Sequence, residues 1–185
     1  MSPRPPTVSP GPGAVEIGRR LRALREERSL SLSLLARRAG VGKATLSGLE
    51  NGTRNPTLET LWAVTAQLGV PLTAVITEAG GGAATVRGTA VAATLLEVFT
   101  EAAASYELYR MVVPPGATQT SPAHQAGVTE HVTVFTGVLR AGPLDAPLLA
   151  GAGEHISWRS DVPHGYASIG TEEVQATLLI RYPRG

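Results

Sequence analysis

Residues 30–52 read LSLSLLARRAGVGKATLSGLENG and specify the architecture of the N-terminal part of the chain. Within this stretch, Ala36, Gly40, Leu46 and Leu49 lie at relative positions 0, 4, 10 and 13. The small side chain of Ala36 allows a following helix to cross closely, and Gly40 can adopt the positive φ angle of a sharp turn. The two leucines hold that following helix in place. The spacing therefore predicts a helix-turn-helix arrangement.

Helical periodicity continues on both sides of this stretch. Ile17, Leu21 and Leu24 repeat at i, i+4 and i+7, which predicts an amphipathic first helix. Thr57 is a good N-cap for a fourth helix, and Gly69 is a good terminator for it. Five helices are expected: from residue 14 onward, over 29–39, over 42–51, over 57–69 and over 71–76.

Together with the NGTRNPTLETL run of residues 51–61, this part of the chain resembles the lambda-repressor-like (Xre/Cro) DNA-binding domain. The resemblance covers residues 15–76 and implies a five-helix bundle that binds double-stranded operator DNA as a homodimer. The second helix of the helix-turn-helix pair would enter the major groove. The DNA-binding positions that the resemblance implies are Lys43, Ala44, Thr45, Ser47, Gly48, Asn51, Arg54 and Asn55.

The resemblance also implies roles for these side chains. Lys43 and Thr45 are expected to face base edges, where an ammonium can donate to guanine and a threonine methyl can touch thymine. Ser47 and Asn51 are expected to reach phosphates, and the loop residues after them to lie beside the DNA backbone.

Three positions depart from the family pattern. Leu32 stands where a glutamine often contacts the DNA backbone, Gly42 replaces a serine N-cap, and Gly48 replaces a long polar side chain. These departures predict fewer polar DNA contacts than usual, and the alternative is a helical bundle that does not bind DNA. We interpret Glu50 as a helix-surface or capping residue, Trp62 as a core residue, and the arginines of the first helix as a solvated outer face.

Charge divides the chain into two unlike halves. Residues 1–76 carry ten Lys/Arg and five Glu, a net charge of +5, whereas residues 77–185 carry six Arg and ten Asp/Glu, a net charge of −4. A basic half joined to an acidic half indicates a polyanionic partner for the first half only. The alternative is an ordinary solvated surface of mixed charge.

Composition excludes several classes of protein. The chain of 185 residues has no cysteine, which excludes disulfides, thiolate zinc sites and cysteine nucleophiles. It contains no run of eighteen apolar residues, so we expect no membrane span. The Pro-rich residues 1–13 lack the apolar core of a secretory signal, and we expect a tail without regular structure. A cytoplasmic protein is the default expectation.

The second half has the pattern of an all-β domain. Residues 77–89 contain three consecutive glycines and predict a flexible linker, and residues 90–185 form the second predicted domain. Strand-like runs separated by Gly/Pro turns indicate a sandwich or barrel, although 90–104 could be helix or strand. The predicted strands cover residues 94–99, 106–113, 131–135, 138–140, 155–158 and 175–182.

The spacing of His124, Glu130 and Gly137, followed by that of Gly153 and His164, resembles the two motifs of the cupin superfamily. The resemblance covers about residues 90–183 and is closest to cupin domains fused to Xre-type regulators. It implies a double-stranded β-helix barrel whose metal site usually has three histidines and a glutamate. Ala126 stands at the position of the second histidine, so three of the four ligands remain.

A two-histidine, one-carboxylate set of His124, Glu130 and His164 can hold Fe, Mn, Ni or Zn. The alternative is that these polar groups bind an effector or water without metal. We expect His131 and His155 at the surface or core rim, since His131 directly follows Glu130 and faces away from it on a strand.

We therefore interpret the chain as an α+β, two-domain transcriptional regulator that binds operator DNA, senses a small-molecule effector in its barrel and has no catalytic residue. A metal-dependent cupin oxygenase or isomerase carrying a DNA-binding domain is the alternative, and a protein-binding module of the antitoxin type is a third. The Gly-rich run predicts a loose tether, which would transmit geometry poorly. Coupling between the domains could instead use a changed dimer interface.

Overall fold

The computed structural model describes residues 12–76 and 85–184. Within these residues, five α-helices are followed by ten β-strands, which confirms the predicted α+β fold of a helical domain and a β-barrel. Residues 1–11 of the predicted tail and residues 77–84 of the predicted linker lie outside the described residues. The last two tail positions, Pro12 and Gly13, belong to the first helix and not to an irregular tail. No helix in the described part is both long and apolar enough to cross a membrane.

The helical domain matches the expected order, with ends shifted by a few residues. Ser31 caps the second helix by accepting from the Leu34 N–H at 3.1 Å, and Thr57 caps the fourth by accepting from the Thr60 N–H at 3.3 Å. Gly69 ends the fourth helix with a φ of 69°. The helices are α1 (Pro12–Glu27), α2 (Leu32–Arg38), α3 (Lys43–Glu50), α4 (Leu58–Leu68) and α5 (Thr73–Ile76).

The predicted spacing within residues 30–52 has its expected consequences. Gly40 turns the chain between α2 and α3 with a φ of 63°. Ala36, Leu46 and Leu49 are buried in the core where these helices meet. α3 also packs against α1, which fixes its orientation from a second side.

The barrel consists of two antiparallel sheets. The larger has the order β1-β2-β3-β10-β5-β8 and the smaller β4-β9-β6-β7. Buried side chains such as Tyr109, Met111, Leu139 and Leu178 fill the core. The strands are β1 (Thr85–Arg87), β2 (Ala92–Thr100), β3 (Ala104–Val113), β4 (Thr118–Ser121), β5 (Thr129–Thr136), β6 (Val138–Pro143), β7 (Leu148–Ala150), β8 (His155–Arg159), β9 (His164–Ile169) and β10 (Val174–Pro183).

All six predicted strand runs lie inside observed strands. The ambiguous residues 90–104 contain β2 and the first residue of β3. Sequence patterns did not indicate β1, β4, β7 or β9, and β1 lies within the predicted linker, where it pairs with the start of β2.

The two domains contact each other through polar groups near the linker. The Thr73 N–H of the helical domain donates to Glu107 Oε1 of β3 at 2.7 Å. Glu59 of α4 accepts from the Thr89 N–H at 2.5 Å. A Cβ on Gly88 would lie 2.8 Å from Glu59 Oε1, so a side chain would disturb this contact.

Candidate nucleic-acid interface and metal centre

The structure places the eight predicted DNA-binding residues on α3 and on the loop that follows it. The side chains of Lys43, Ala44, Asn51, Arg54 and Asn55 are exposed. The remaining three positions, Thr45, Ser47 and Gly48, are half-buried. Among the described residues, neither Lys43 nor Arg54 takes part in an ion pair, so both cations face solvent without an internal partner.

Arg54 explains why a glycine stands at position 48. A Cβ on Gly48 would lie 2.9 Å from Cδ of Arg54, which means that the arginine stem crosses the helix at this point. The Arg54 side chain, which comes from the loop after α3, therefore covers this helix at Gly48.

Glu50 is neither a surface residue nor a cap, contrary to the sequence interpretation. Its side chain is 1% exposed and lies 2.6 Å from Arg25 Nε, and Arg25 Nη2 donates to its second oxygen at 2.8 Å. Arg22 lies 3.4 Å from the same carboxylate. Glu50 thus joins the end of α3 to α1, and the bond to Glu50 raises the pKa of Arg25.

The arginines of α1 therefore do not all form a solvated outer face. Arg19 and Arg20 do pair with Glu16 near the surface, each at 2.7 Å. Arg22 and Arg25 instead contact α3, because Arg22 Nη2 also donates to Asn51 Oδ1 at 2.8 Å. This bond holds the amide oxygen of Asn51 against α1.

In the barrel, the structure brings His124, Glu130 and His164 together. Each offers one ligand atom, and the three atoms lie within 4.8 Å of one another. The Nε2 atoms of His124 and His164 lie 2.9 and 3.2 Å from Glu130 Oε1. All three side chains are buried. His124 comes from the loop before β5, Glu130 from β5 and His164 from the start of β9.

The surroundings of His164 show which of its two ring nitrogens lacks a hydrogen-bond partner. Its Nδ1 lies 2.8 Å from the Val162 carbonyl oxygen and therefore carries the proton that it donates. Its Nε2 has no hydrogen-bond partner among the described residues and faces Glu130 Oε1. In a neutral ring two lone pairs would face each other, so either a proton or a cation must lie between them.

The electrostatics of the triad favour the ionised form of Glu130. Burial favours the neutral acid, but the charge of His164 and the hydrogen bond from His124 outweigh burial and hold the pKa of Glu130 well below its usual range. Burial also acts to lower the pKa of His164, and the charge of Glu130 overcomes it and raises that pKa.

Tyr166 is a residue of this site that sequence motifs did not assign. Its hydroxyl donates to Glu130 Oε2, and burial followed by the Glu130 charge raises the pKa of this phenol well above its usual value. Ala126 does not leave a gap among the ligands, because it lies exposed in the turn before β5. The chain thus surrounds Glu130 with two imidazoles and one phenol.

Two tryptophans lie beside the triad. Trp158 of β8 pairs in register with Glu130 and lies with its ring centre 6.2 Å from that of His164. Trp62 of α4 meets His124 edge-on at 5.5 Å and stacks with Tyr166 at 6.5 Å. Trp62 is buried, as the sequence indicates, but the surroundings of its ring include the barrel site.

His131 and His155 lie apart from the triad. His131 follows Glu130 on β5 and faces the other side of the sheet, where its ring stacks on that of His155 at 5.7 Å. Burial lowers the pKa of His131, and the nearby His155 and Arg181 add to this effect. Neither contributes a ligand atom to the triad.

The helix-turn-helix bundle presents α3 with Lys43 exposed at its start, which is the arrangement in which DNA-binding proteins of this type place a helix in the major groove. Residues 21–75 match the helix-turn-helix family HTH_3. The chain is 32% identical over 167 residues to the HTH-type transcriptional regulator SutR of Escherichia coli (strain K12), covering 89% of this chain and 93% of that protein. It therefore belongs to the family of HTH-type transcriptional regulators.

Two further relatives agree with this assignment. The crystal structure of an HTH_3 family transcriptional regulator from Vibrio cholerae superposes with a TM-score of 0.78 at 27% identity, covering 92% of this chain and 97% of that one. The immunity repressor protein of Bacillus phage phi105 is 37% identical over 62 residues, which are 34% of this chain and 43% of the repressor. The chain is thus a DNA-binding transcriptional regulator whose second half is a barrel of two antiparallel sheets.

Proposed function

We propose that the chain reads operator DNA through the exposed face of α3, and that Lys43 and Thr45 contact base edges. The observation that carries this proposal is the exposure of Lys43 at the start of α3, without an ion pair in the described part of the chain. Arg54, lying across Gly48, would reach the phosphates beside the same groove.

Substitution within α3 tests this assignment. Lys43→Ala and Thr45→Ala are each expected to weaken binding to the specific operator by about 1–3 kcal/mol and to relax base preference. Arg140→Ala is the matched control, since it removes one exposed cation from the barrel and should leave the operator affinity unchanged. The measurement is fluorescence anisotropy with an operator and a scrambled duplex. Unchanged discrimination in both α3 variants would refute the assignment.

The regulator is further proposed to act as a homodimer. Dimeric helix-turn-helix proteins bind two half-sites separated by one turn of DNA, about 34 Å, and so read a palindrome. Sedimentation of the full chain with and without operator measures the stoichiometry. A single chain bound per operator would contradict this part of the proposal.

We propose that the barrel senses a small effector at a divalent metal held by His124, Glu130 and His164. The donor set suits Fe, Mn, Ni or Zn, and the unpartnered Nε2 of His164 facing a carboxylate oxygen supports a cation between them. When bound, such a metal supplies an electrophilic position for an oxygen or nitrogen atom of the effector. Tyr166 keeps Glu130 oriented, and Val162 fixes the tautomer of His164.

Metal titration tests the centre. The wild-type chain is expected to bind one Co(II), and His164→Ala is expected to weaken binding at least tenfold, whereas His131→Ala should not. A metal-dependent cupin enzyme remains the second candidate, because a two-histidine, one-carboxylate set leaves metal positions open. Effector consumption by the metal-loaded chain would favour the enzyme, and a change in operator affinity without consumption would favour the sensor.

A further inference from the structure

Several buried hydrogen-bond donors remain unused around the triad. The indole N–H groups of Trp62 and Trp158 and the hydroxyl of Ser121 have no partner among the described residues. Ser121 is directly opposite His164 in register, and Trp158 is directly opposite Glu130. Residues directly opposite on antiparallel strands face the same side of the sheet, so the side chains of Ser121 and Trp158 lie on the face that carries His164 and Glu130.

The acceptors near the triad are already taken. Glu130 Oε1 faces the two imidazoles, and Glu130 Oε2 accepts from Tyr166. Indole N–H groups can only donate, and neither indole has an acceptor among the described residues. Buried donors without partners are unfavourable, which favours a ligand that brings acceptor atoms.

Trp62 differs from the other residues around the triad because it belongs to the DNA-binding domain. Its side chain is 1% exposed and its ring lies within 6.5 Å of both His124 and Tyr166, measured between ring centres. α4 in turn packs on α2, the helix that precedes the recognition helix α3. A ligand touching Trp62 therefore touches both domains.

We propose that the effector is a small carboxylic acid bound as its anion, and that Trp62 of the DNA-binding domain donates one of its hydrogen bonds. The inference rests on the proposed function of the barrel as a sensor. A divalent metal with one carboxylate ligand leaves a net charge of +1, and in the described part of the chain Glu130 forms ion pairs only with the two histidines. A monoanion neutralises this charge, and its two oxygens can bind the metal and accept hydrogen bonds from the indole N–H groups.

Acetate and its neutral isostere acetamide are suitable probes for the full-length, Co(II)-loaded protein. Acetate is expected to bind at least tenfold more tightly than acetamide, as followed by the Co(II) absorption spectrum. Trp62→Phe keeps an aromatic wall against His124 but lacks the N–H, and should weaken acetate binding about tenfold. Tyr106→Phe is the control, because it removes one exposed hydroxyl that bonds Glu101 and should leave acetate binding unchanged.

The outcomes separate this inference from the proposed function. If Co(II) binds but acetate and acetamide bind equally, or if Trp62→Phe binds acetate as wild type does, the inference is overturned while the metal site stands. If Co(II) fails to bind, the proposed metal site is wrong, and the inference falls with it because its charge argument needs the metal. A shift of operator affinity by acetate that Trp62→Phe abolishes, with basal operator affinity intact, supports it independently.

Discussion

Glu107 is a buried carboxylate of the barrel that accepts three hydrogen bonds, and its removal gives a sharp prediction. It is 1% exposed and lies on β3. It accepts from the hydroxyls of Tyr109 at 2.8 Å and Tyr182 at 2.9 Å, in addition to the Thr73 N–H of the helical domain. Burial and the Glu107 charge raise the pKa of both phenols well above 10.0, so both hydroxyls stay protonated and need an acceptor.

Glu107→Ala is expected to lower the free energy of unfolding by about 3–5 kcal/mol. Each of the two buried hydroxyls loses its acceptor at a cost of roughly 1–3 kcal/mol, and bonds to a charged group lie at the upper end of this range. Glu107→Gln should cost about 1–2 kcal/mol, because the amide oxygen can still accept one hydroxyl. The measurement is urea unfolding followed by circular dichroism, with equal m-values required for comparison.

The matched control is Glu97→Ala on the neighbouring strand. Glu97 is exposed, so its removal should change stability by no more than about 0.5 kcal/mol. If Glu107→Ala unfolds within about 1 kcal/mol of wild type, the two phenols do not depend on this carboxylate and the reasoning from buried donors is wrong.

Three further predictions follow from particular contacts. Gly18→Ala should lower the free energy of unfolding in urea by about 1–3 kcal/mol, because its Cβ would collide with a carbonyl oxygen at the end of α3. Gly13→Ala on the same helix is the control, because its Cβ meets no other atom, and it should raise that free energy by about 0.5–1 kcal/mol. Arg25→Ala should cost about 2–4 kcal/mol by leaving the buried Glu50 with one weaker partner, and a cost under 1 kcal/mol would contradict this. The arginine and backbone N–H beside Asp161 lower its pKa from 3.8 to about 2, so its stabilisation is present above pH 4 and lost toward pH 2. The Tm deficit of Asp161→Asn should therefore shrink between pH 4 and pH 2, and a constant deficit would exclude the mechanism.

The helical domain was predictable because its signals are local. A small residue, a glycine and two leucines fix the crossing of α2 and α3 through short-range sterics, and capping residues mark the helix ends within a few positions. The longer runs of strand-forming residues also predicted the central strands. The short strands β4 and β7 escaped detection because three or four residues are too few to show alternation.

The environments of Glu50 and Trp62 were not predictable for a different reason. Periodicity tells which face of a helix is buried, but not what covers it. Glu50 is buried because Arg25, twenty-five positions earlier, lies against it. Trp62 is at a core position of α4, yet its ring reaches the histidine of another domain, a contact that only the tertiary structure defines.

The contacts between the domains bear directly on how a sensor could act on DNA. A glycine-rich tether alone would leave the two domains free to move independently. Glu59 holds the chain beyond the tether, Glu107 holds the start of α5, and Trp62 lies against the candidate metal ligands. All three connections join the barrel to helices of the DNA-binding domain within one chain. An effector that displaces the Trp62 ring must therefore move α4 or break these bonds, and either event changes how α3 is presented to the operator. Coupling through a single chain in this way predicts that the effector response survives in a monomer, whereas coupling through a dimer interface predicts that it does not.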